Sequence, residues 1–469
     1  MTGPSTVERI DLARTDRGVR PGIDAHGARR GVGAALIASD LLLMAGTLGW
    51  TLPWERIALS PLWMGATAVL AALPLLAIYC LGGYRVEAIA VQGRPRHMAA
   101  AALAGTFTAL VAYKALLVWP VGESETVRFT VRTLGAPLCL ALWVLTSRWL
   151  ARRLLQRWTA SARVLCLAGP ELVQRLQRIL DDGRMQVPLV AIDPADAQAA
   201  SQIDDALRGR VRAVVVDAPG AAMPRPLLEA LVHARIARVP VLGPAQLVEE
   251  LLERSPVALG DPAWMVASRR LDGGSPFFLG SKRLLDLAVA IPMFALLLPV
   301  MLLTAVAVKL SSRGPVLFTQ RREGLYKRPF TILKFRTMRT DAEAAGAQWA
   351  TKNDPRVTPI GAFLRKSRLD EFPQLLNVIL GDMSLVGPRP ERPEFNGMLA
   401  ARIPWYDLRH LSKPGLTGWA QVRYPYGASV EDAIAKLEFE IYYLKRASLR
   451  FDLRILLRTV AVVVGLRGR

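Results

Sequence analysis

The apolar residues of this chain are gathered into long blocks, and this pattern constrains the fold more than any other feature. Four blocks lie in the amino-terminal third, near residues 33–52, 62–84, 98–119 and 133–147. The second block has no charged residue, and as a helix rising about 1.5 Å per residue it is long enough to span about 30 Å of hydrocarbon. We therefore predict four transmembrane helices within residues 31–155.

The first and third blocks carry one ionisable residue each, Asp40 and Lys114. An ionisable residue inside a membrane segment is either functional or paired with a neighbouring helix. We favour pairing between helices for both residues.

Basic residues set the expected orientation and the class of partner. The chain has 60 Lys and Arg against 39 Asp and Glu, a net charge of +21. This surplus fits nucleic acid, an anionic bilayer or phosphate-bearing substrates, and the apolar blocks favour the last two over nucleic acid. Arginines are frequent in the polar tail 1–30 and just after the fourth block, so both regions are expected in the cytoplasm. The tail lacks the apolar run of a cleavable signal peptide.

Residues 160–266 have a different pattern, with short β-branched runs alternating with helix-like stretches. This alternation predicts a parallel sheet in a Rossmann-like α/β domain. The first turn, Ala168–Pro170, lacks the G-x-G-x-x-G signature. We therefore favour a structural or regulatory module over a cofactor site. The predicted strands are 163–168, 187–193, 211–218 and 239–243, and the predicted helices include Glu171–Leu180 and Arg225–Ala237.

A fifth apolar stretch, Leu287–Val308, has 22 uncharged residues and contains Pro292 and Pro299. An interior proline removes a helical hydrogen bond and favours a kink. Basic residues flank both ends and favour keeping both ends on one side of the membrane: Lys282, Arg283, Lys309 and Arg313. A re-entrant helix over residues 283–309, bending near Pro299, satisfies this pattern, and a fifth crossing is the alternative left open.

The region 278–469 holds the residues with catalytic chemistry. Asp370 and Glu371 stand just before Pro373, and 374–380 is predicted to be a short helix, so the acidic pair lies at a helix N-terminus. An ionised aspartate there either attacks a phosphorus atom or caps the helix. Attack on a pyrophosphate requires neutralising charge, which Arg365, Arg389 and a divalent metal could supply.

Further polar residues of this region are candidates for substrate binding. The segment KFRTM places Lys334 and Arg336 on alternate positions, which in a strand share one face. The segment GPVLFTQRREG at 314–324 adds Gln320 and Arg322. We assign these four side chains to the phosphates and other polar parts of the substrate.

The motifs of this region resemble the monotopic phosphoglycosyl transferases, the polyprenyl-phosphate sugar-phosphate transferases that initiate bacterial glycan assembly. The resemblance covers roughly residues 281–466 and follows one motif after another in order. These motifs are KR-x-x-D at 282–286, the proline-containing apolar helix, GPV-x-F-x-Q-x-R-x-G at 314–324, KFRTM at 334–338, LDE-x-PQL-x-NV at 369–378, G-x-MSLVGPRP at 381–390 and KPG-x-TGWAQV at 413–422. The upstream arrangement is similar to the large form of the family, and 424–445 resembles an exopolysaccharide-associated branch.

This resemblance implies a function and roles for the matching positions. Asp370 would be the nucleophile that forms a covalent phosphosugar, with Mg²⁺ at its carboxylate, and Glu371 its partner as base or as support. Arg365 and Arg389 would bind phosphate, and Pro299 would break the re-entrant helix. The donor would be a UDP-sugar and the acceptor undecaprenyl phosphate, with UMP released on the cytoplasmic face of the bacterial inner membrane.

Two positions depart from the pattern of the family. Leu298 stands where a serine is common, which removes a group that would satisfy carbonyls freed by the kink. Arg368 stands where a small polar residue is usual, and it adds positive charge beside the acidic pair.

The sequence leaves several points open. It specifies neither the sugar nor the oligomeric state, with a homodimer among the candidates. A catalytically silent scaffold of a polysaccharide export complex and a nucleotide-sugar oxidoreductase are the other classes considered. The intact acidic pair argues against the first, and the missing glycine signature argues against the second.

Overall fold

The computed structural model describes residues 25–51, 138–153, 163–260, 275–342 and 354–464, apart from positions 184, 186, 210, 218–222, 425, 426 and 428. By its internal contacts the chain divides into two compact units, one including Ser147–Leu247 and the other including Val248–Arg469. Each unit is described separately below.

The amino-terminal apolar blocks are described in part. Helix α1 spans Ala25–Thr51 and helix α2 spans 138–153, which cover the first block and most of the fourth. The Nε1 of Trp143 in α2 donates to Oδ1 of Asp40 in α1 at 3.2 Å. This contact is the pairing between helices expected for Asp40. Blocks 62–84 and 98–119, with Lys114, lie outside the described residues, so the four-helix region stays a prediction.

The first unit contains the predicted parallel sheet, with strand order β2-β1-β3-β4. Leu165 of β1 pairs with Val190 of β2 on one side and Val214 of β3 on the other. The sheet and its helices enclose one apolar core, which includes Ile203 and Leu227. The α/β architecture predicted for this region is therefore confirmed. Its elements are β1 Arg163–Leu167, α3 Pro170–Asp182, β2 Leu189–Ile192, α4 Ala199–Leu207, β3 Val211–Val216, α5 Arg225–Ile236 and β4 Val241–Leu242.

Helix α6, Pro244–Leu252, leads into the second unit, which combines helices with two small sheets. Strands β5 and β6 form an antiparallel hairpin, and β7 and β8 are parallel. Four 3₁₀ turns join its described elements, at Val257–Leu259, Leu325–Lys327, Leu369–Glu371 and Tyr406–Leu411. The elements are α7 Pro276–Ser311, β5 Leu317–Glu323, β6 Pro329–Phe335, α8 Pro359–Ser367, α9 Gln374–Leu380, β7 Ser384–Val386, α10 Pro393–Ala400, β8 Gly415–Thr417, α11 Trp419–Arg423, α12 Val430–Arg446 and α13 Leu449–Val464.

Helix α7 is the helix, among the described residues, that is long and apolar enough to cross a membrane by length and composition. The side chain of Ser275 caps its first turn by accepting from the backbone N–H of Phe278. The helix continues through Pro292 and Pro299, so any bend at Pro299 would be a kink inside one helix rather than a break between two.

One face of α7 is buried against the second unit along most of its length. The buried positions recur every three or four residues over most of the helix, as expected for one helical face: Lys282, Asp286, Ala290, Met301, Thr304 and Val308. Other faces expose large apolar side chains such as Leu296, which is 78% exposed, and Leu303, which is 72% exposed. The helix is thus apolar all round, yet it packs on a protein surface with one stripe only.

Candidate active site

A tight turn between two helices presents the acidic pair. Helix α8 begins at an N-cap, where the side chain of Thr358 accepts from the N–H of Gly361, and it ends at Arg368 in the left-handed conformation. The chain then forms the 3₁₀ turn with Asp370 and Glu371, and α9 follows after Pro373. The turn reverses the chain, so that Arg365 and Asp370 line the same cavity.

The structure excludes one of the two roles considered for Asp370, that of a side-chain cap for helix α9. Helix α9 has no side-chain N-cap hydrogen bond, so Asp370 does not cap it. The Asp370 side chain is buried, and its Oδ1 has no hydrogen-bond partner among the residues that the structure describes. Burial and the neighbouring Glu371 raise the pKa of Asp370 to about 6, against the opposite influence of Lys334. A buried carboxylate oxygen without a partner is uncommon and indicates a site for a ligand.

Glu371 has the opposite environment. Its Oε1 accepts from Nη2 of Arg389 at 2.6 Å and lies 3.5 Å from Nζ of Lys334 and 3.8 Å from Nη1 of Arg368. Burial alone would raise the pKa of Glu371, but Arg389 and Lys334 hold it well below the usual range. Burial lowers the pKa of Lys334, with Glu371 acting in the opposite direction. The two adjacent carboxylates are therefore tuned in opposite directions.

The loop that follows β7 carries Arg389 and is held by its backbone carbonyls. The carbonyl of Val386 accepts from Nζ of Lys282 at 2.9 Å, and the carbonyl of Arg389 accepts from Nη2 of Arg409 at 2.9 Å. The carbonyl of Pro390 accepts from Nη1 of Arg322 at 3.3 Å. Three cations from distant parts of the sequence thus fix the loop whose arginine binds Glu371.

Arg409 has a function at the site that the sequence analysis did not identify. It forms a buried ion pair with Glu440, with Nη2 to Oε1 at 2.9 Å. Its other nitrogen, Nη1, donates to the hydroxyl of Tyr406 at 2.6 Å. Arg409 lies four residues before the motif KPG-x-TGWAQV at 413–422. No local pattern indicated that its partner would be a glutamate on α12, 31 residues further along the chain.

A cavity of about 600 Å³ opens beside the acidic pair. Most of the predicted site residues line it: Gln320, Arg322, Lys334, Arg336, Arg365, Asp370, Glu371 and Arg389. Nη2 of Arg336 donates to the carbonyl and the hydroxyl of Ser312 at 2.8 and 2.9 Å, so this guanidinium also anchors the end of α7. Nε of Arg365 donates to the hydroxyl of Thr337 at 2.9 Å.

The remaining predicted residues lie outside the lining of this cavity. Lys282 forms a buried ion pair with Asp452, with Nζ to Oδ2 at 2.7 Å. Arg283 donates to the carbonyls of Val378 and Ile379 at the end of α9, at 2.6 and 2.7 Å. Pro299 is within α7. These three residues belong to α7 and its attachment to the unit.

The acidic pair can be tested for its fit to Mg²⁺. The described residues contain no cluster of three or more His, Cys, Asp or Glu side chains that could enclose a metal. Mg²⁺ is usually held by one or two carboxylates together with substrate phosphates and water. The free Oδ1 of Asp370 fits that requirement, whereas Glu371 is already engaged by Arg389.

Comparison with known proteins relates this site to one family. The model of the family described as bacterial sugar transferase matches residues 278–466, which contain the acidic pair and its cations. The UDP-N-acetylgalactosamine-undecaprenyl-phosphate N-acetylgalactosaminephosphotransferase of Aeromonas hydrophila is 45% identical over 190 residues. That alignment covers 40% of this chain and 45% of the relative, so the chain matches less than half of the length of that protein.

Two other relatives are matched over a larger share of their length. The undecaprenyl-phosphate glucose phosphotransferase of Komagataeibacter xylinus is 32% identical over 363 residues, covering 74% of this chain and 67% of the relative. The exopolysaccharide production protein PSS of Rhizobium leguminosarum is 42% identical over 185 residues, covering 38% of this chain and 92% of the relative. The first of these alignments is much longer than the region matched by the family model.

Proposed function

Since this chain belongs to the bacterial sugar transferase family, we propose that it transfers a sugar 1-phosphate from a UDP-sugar to undecaprenyl phosphate and releases UMP. The names of the Aeromonas and Komagataeibacter relatives specify undecaprenyl phosphate and the transfer of a sugar phosphate, and the Aeromonas name also specifies a UDP-sugar. One structural observation carries the proposal, namely the buried, unpartnered Oδ1 of Asp370 in a cavity lined with basic side chains.

In the proposed first step, the Asp370 carboxylate attacks the β-phosphorus of the donor. A new bond forms between the carboxylate oxygen and phosphorus, and the bond from phosphorus to the bridging oxygen breaks, so UMP leaves with that electron pair. An aspartate with a pKa of about 6 is mostly ionised at neutral pH, as nucleophilic attack requires. Lys334, Arg365 and Arg389 would stabilise the charge that develops on the phosphoryl oxygens.

In the second step, an oxygen of the lipid phosphate attacks the phosphorus of the aspartyl intermediate. The bond between Asp370 and phosphorus breaks, the carboxylate is regenerated, and a lipid diphosphate sugar leaves. Neither step needs an external oxidant or reductant. The same basic side chains would serve both steps, because the phosphoryl group that the first step bonds to Asp370 is the one that the second step transfers to the lipid phosphate.

Glu371 would support the site rather than act as a base. A carboxylate whose pKa is held well below the usual range binds a proton too weakly for general-base catalysis near neutral pH. Its ion pair with Arg389 instead fixes that guanidinium beside Asp370. Mg²⁺, when bound, would be held by Asp370 with the substrate phosphates and would neutralise part of their charge.

We further propose that α7 is a re-entrant helix and that the second unit works at the cytoplasmic face of the inner membrane. Residues near both ends of α7 contact this unit, since Lys282 binds Val386 and Asp452, and Ser312 accepts from Arg336. A straight crossing would carry one end away from the unit that holds the other. UDP-sugars and the lipid phosphate would then meet on one side of the membrane, within reach of Asp370.

The biological process we propose is the first membrane step of exopolysaccharide synthesis. The match to the Rhizobium exopolysaccharide production protein, over most of its length, supports this. The sugar is left open, because the relatives named above differ in the sugar they transfer.

The test is UMP release by the purified full-length protein with undecaprenyl phosphate, Mg²⁺ and a panel of UDP-sugars. We expect one sugar to give UMP and lipid-linked product, and Asp370→Asn to reduce turnover on the order of 10³-fold or more with the fold retained. Wild-type rates of product formation by Asp370→Asn would rule out the nucleophile. A wild-type protein that uses no UDP-sugar would rule out the donor class.

A further inference from the structure

We propose that Arg368 is a phosphate-binding residue of this active site, contacting the phosphoryl oxygens of the donor diphosphate. The inference rests on the proposed function but concerns a residue outside the acidic pair and its nearest cations. It is drawn from the backbone conformation of Arg368, the partners of its guanidinium, and the charge around Asp370.

Arg368 has an unfavourable backbone conformation at the junction between helix α8 and the turn that carries the acidic pair. Its φ of 60° and ψ of 12° are left-handed, a region in which the Cβ of an arginine is crowded. Glycine or asparagine would adopt this conformation at lower cost. This residue ends the helix that carries Arg365 and begins the turn that carries Asp370. A side chain that folding disfavours here is expected to be useful for another reason.

The guanidinium of Arg368 makes few contacts with other side chains of the protein. Its Nη1 lies 3.8 Å from Oε1 of Glu371, near the outer limit of an ion pair, while Arg389 holds the same oxygen at 2.6 Å. Within the part of the chain that the structure describes, Arg368 makes no side-chain hydrogen bond. The side chain is 41% exposed and lines the cavity. Its planar donors therefore remain free for an oxyanion ligand.

The charge around Asp370 is matched to such a ligand. Besides Arg368, three basic residues, Lys334, Arg365 and Arg389, interact electrostatically with the acidic pair. Four cations against two carboxylates leave an excess of positive charge at this end of the cavity. A diphosphate would neutralise that excess, so Arg368 adds to the attraction for the substrate without being needed to keep Glu371 ionised.

Phosphoryl oxygens reach this site from two sources, the donor diphosphate and the lipid monophosphate. A double-displacement reaction separates the two, because kcat/KM for each substrate reports only the half-reaction in which that substrate takes part. Loss of a contact to the part of the diphosphate that leaves with UMP lowers kcat/KM for the UDP-sugar alone. Loss of a contact to the transferred phosphoryl group lowers kcat/KM for both substrates.

The test uses Arg368→Gly and Arg368→Asn, which remove the guanidinium and suit the left-handed backbone, and Arg368→Lys, which keeps the charge. Arg238→Gly is the matched control, because Arg238 also has a φ of 60° but belongs to the first unit. UMP release is measured against each substrate, and UDP binding is measured separately at equilibrium without turnover.

We expect Arg368→Gly and Arg368→Asn to lower kcat/KM for the UDP-sugar about tenfold to a hundredfold and to weaken UDP binding, with a melting temperature equal to or above that of the wild type. Arg368→Lys should recover part of the loss, and Arg238→Gly should leave both activity and binding unchanged. Unchanged kinetics and UDP binding in both variants would overturn the proposal, as would losses accompanied by a lower melting temperature in both. UDP binding that depends on Arg368 in a protein without turnover would reject the proposed function but keep this site.

Discussion

The two units differ most in where they place charge. Among the described residues of the first unit, Arg148 in α2 is the one buried charged side chain, and every buried side chain from 163 to 247 is hydrophobic. The ion pairs of this region, such as Arg225 with Glu229, are at the surface. In the second unit many charged side chains are buried, and most of them are paired with other side chains. They include Lys282, Asp286, Arg336, Asp370, Glu371, Arg409, Glu440, Lys445 and Asp452.

This difference is the one expected if the second unit holds the active site that we propose. Removing charges from water is costly, and an apolar core of similar volume is often as stable as one with buried ion pairs. The second unit nevertheless retains Lys282–Asp452 and Arg409–Glu440, and the cations of both pairs bind carbonyls of the loop that carries Arg389. Its buried charges therefore position the cations that surround Asp370.

The largest effect on stability is expected from Glu440→Gln, which leaves Arg409 buried without a counter-charge. Breaking a buried pair on one side typically costs about 3–5 kcal/mol, which corresponds to a fall in melting temperature of about 6–20 °C. Thermal unfolding of the detergent-solubilised protein would measure this change.

The double variant Arg409→Met with Glu440→Leu is the control for that experiment. It replaces the pair with apolar side chains and is expected to regain most of the stability. UMP release should stay low, because the carbonyl of Arg389 has lost its donor. Full activity in the stable double variant would show that Arg409 has no part in positioning Arg389.

A slightly smaller loss of folding stability, which depends on pH, is expected from Lys282→Met. It leaves Asp452 buried, although the hydroxyl of Tyr443 still donates to this carboxylate at 2.8 Å. Burial already raises the pKa of Asp452, and losing Lys282 would raise it further. The folded state then binds a proton more tightly than the unfolded state, so stability falls as the pH rises and recovers as the pH is lowered.

Melting temperatures between pH 5 and 8 would test this dependence. The loss in Lys282→Met is expected to be about 3 kcal/mol at pH 8 and clearly smaller at pH 5. Lys309→Met, at the exposed end of the same helix, is the control and should change little. A loss that is equal at both pH values would mean that Asp452 does not titrate as argued.

The sequence predicted the two units unequally well. The strands and helices of the first unit follow from runs of β-branched residues and from helical periodicity, because its core uses one kind of side chain. The shortest strand, Val241–Leu242, shows the limit, since the pattern predicted 239–243 and pairing with β3 extends over only two residues.

In the second unit, the local sequence pattern explains less of the structure than it does in the first unit. The order of motifs gave Asp370, Arg365 and Arg389 as candidates, but spacing alone could not decide between a helix cap and a nucleophile. The structure excludes the cap, and the proposal of a nucleophile rests on the burial of Asp370 and on the missing partner of Oδ1 among the described residues. The Arg409–Glu440 pair depends on tertiary packing between elements distant in sequence, which no periodicity encodes.

In the first unit, a small change in the apolar core should affect stability and nothing else. Ile203 in α4 is fully buried, and Ile203→Val removes one methylene group, at a cost of about 1 kcal/mol. Hydrogen exchange of peptides from residues 163–216 should accelerate by a corresponding factor. UMP release is expected to stay at the wild-type level, and a clear fall in turnover would mean that this core contributes to the active site.

The smallest effect is expected at the surface of the same unit. Arg225 and Glu229 form an ion pair at 3.0 Å on α5, with side chains 76% and 57% exposed. An exposed pair one helical turn apart contributes only a few tenths of a kcal/mol, because water screens the charges and both side chains lose freedom. Arg225→Ala should therefore shift the melting temperature by about 1 °C or less, and 1 M salt should remove even that difference. Glu229→Ala is the matched control and should give the same shift. A loss close to that of Glu440→Gln would contradict the comparison, since it would mean that burial does not determine what an ion pair contributes in this protein.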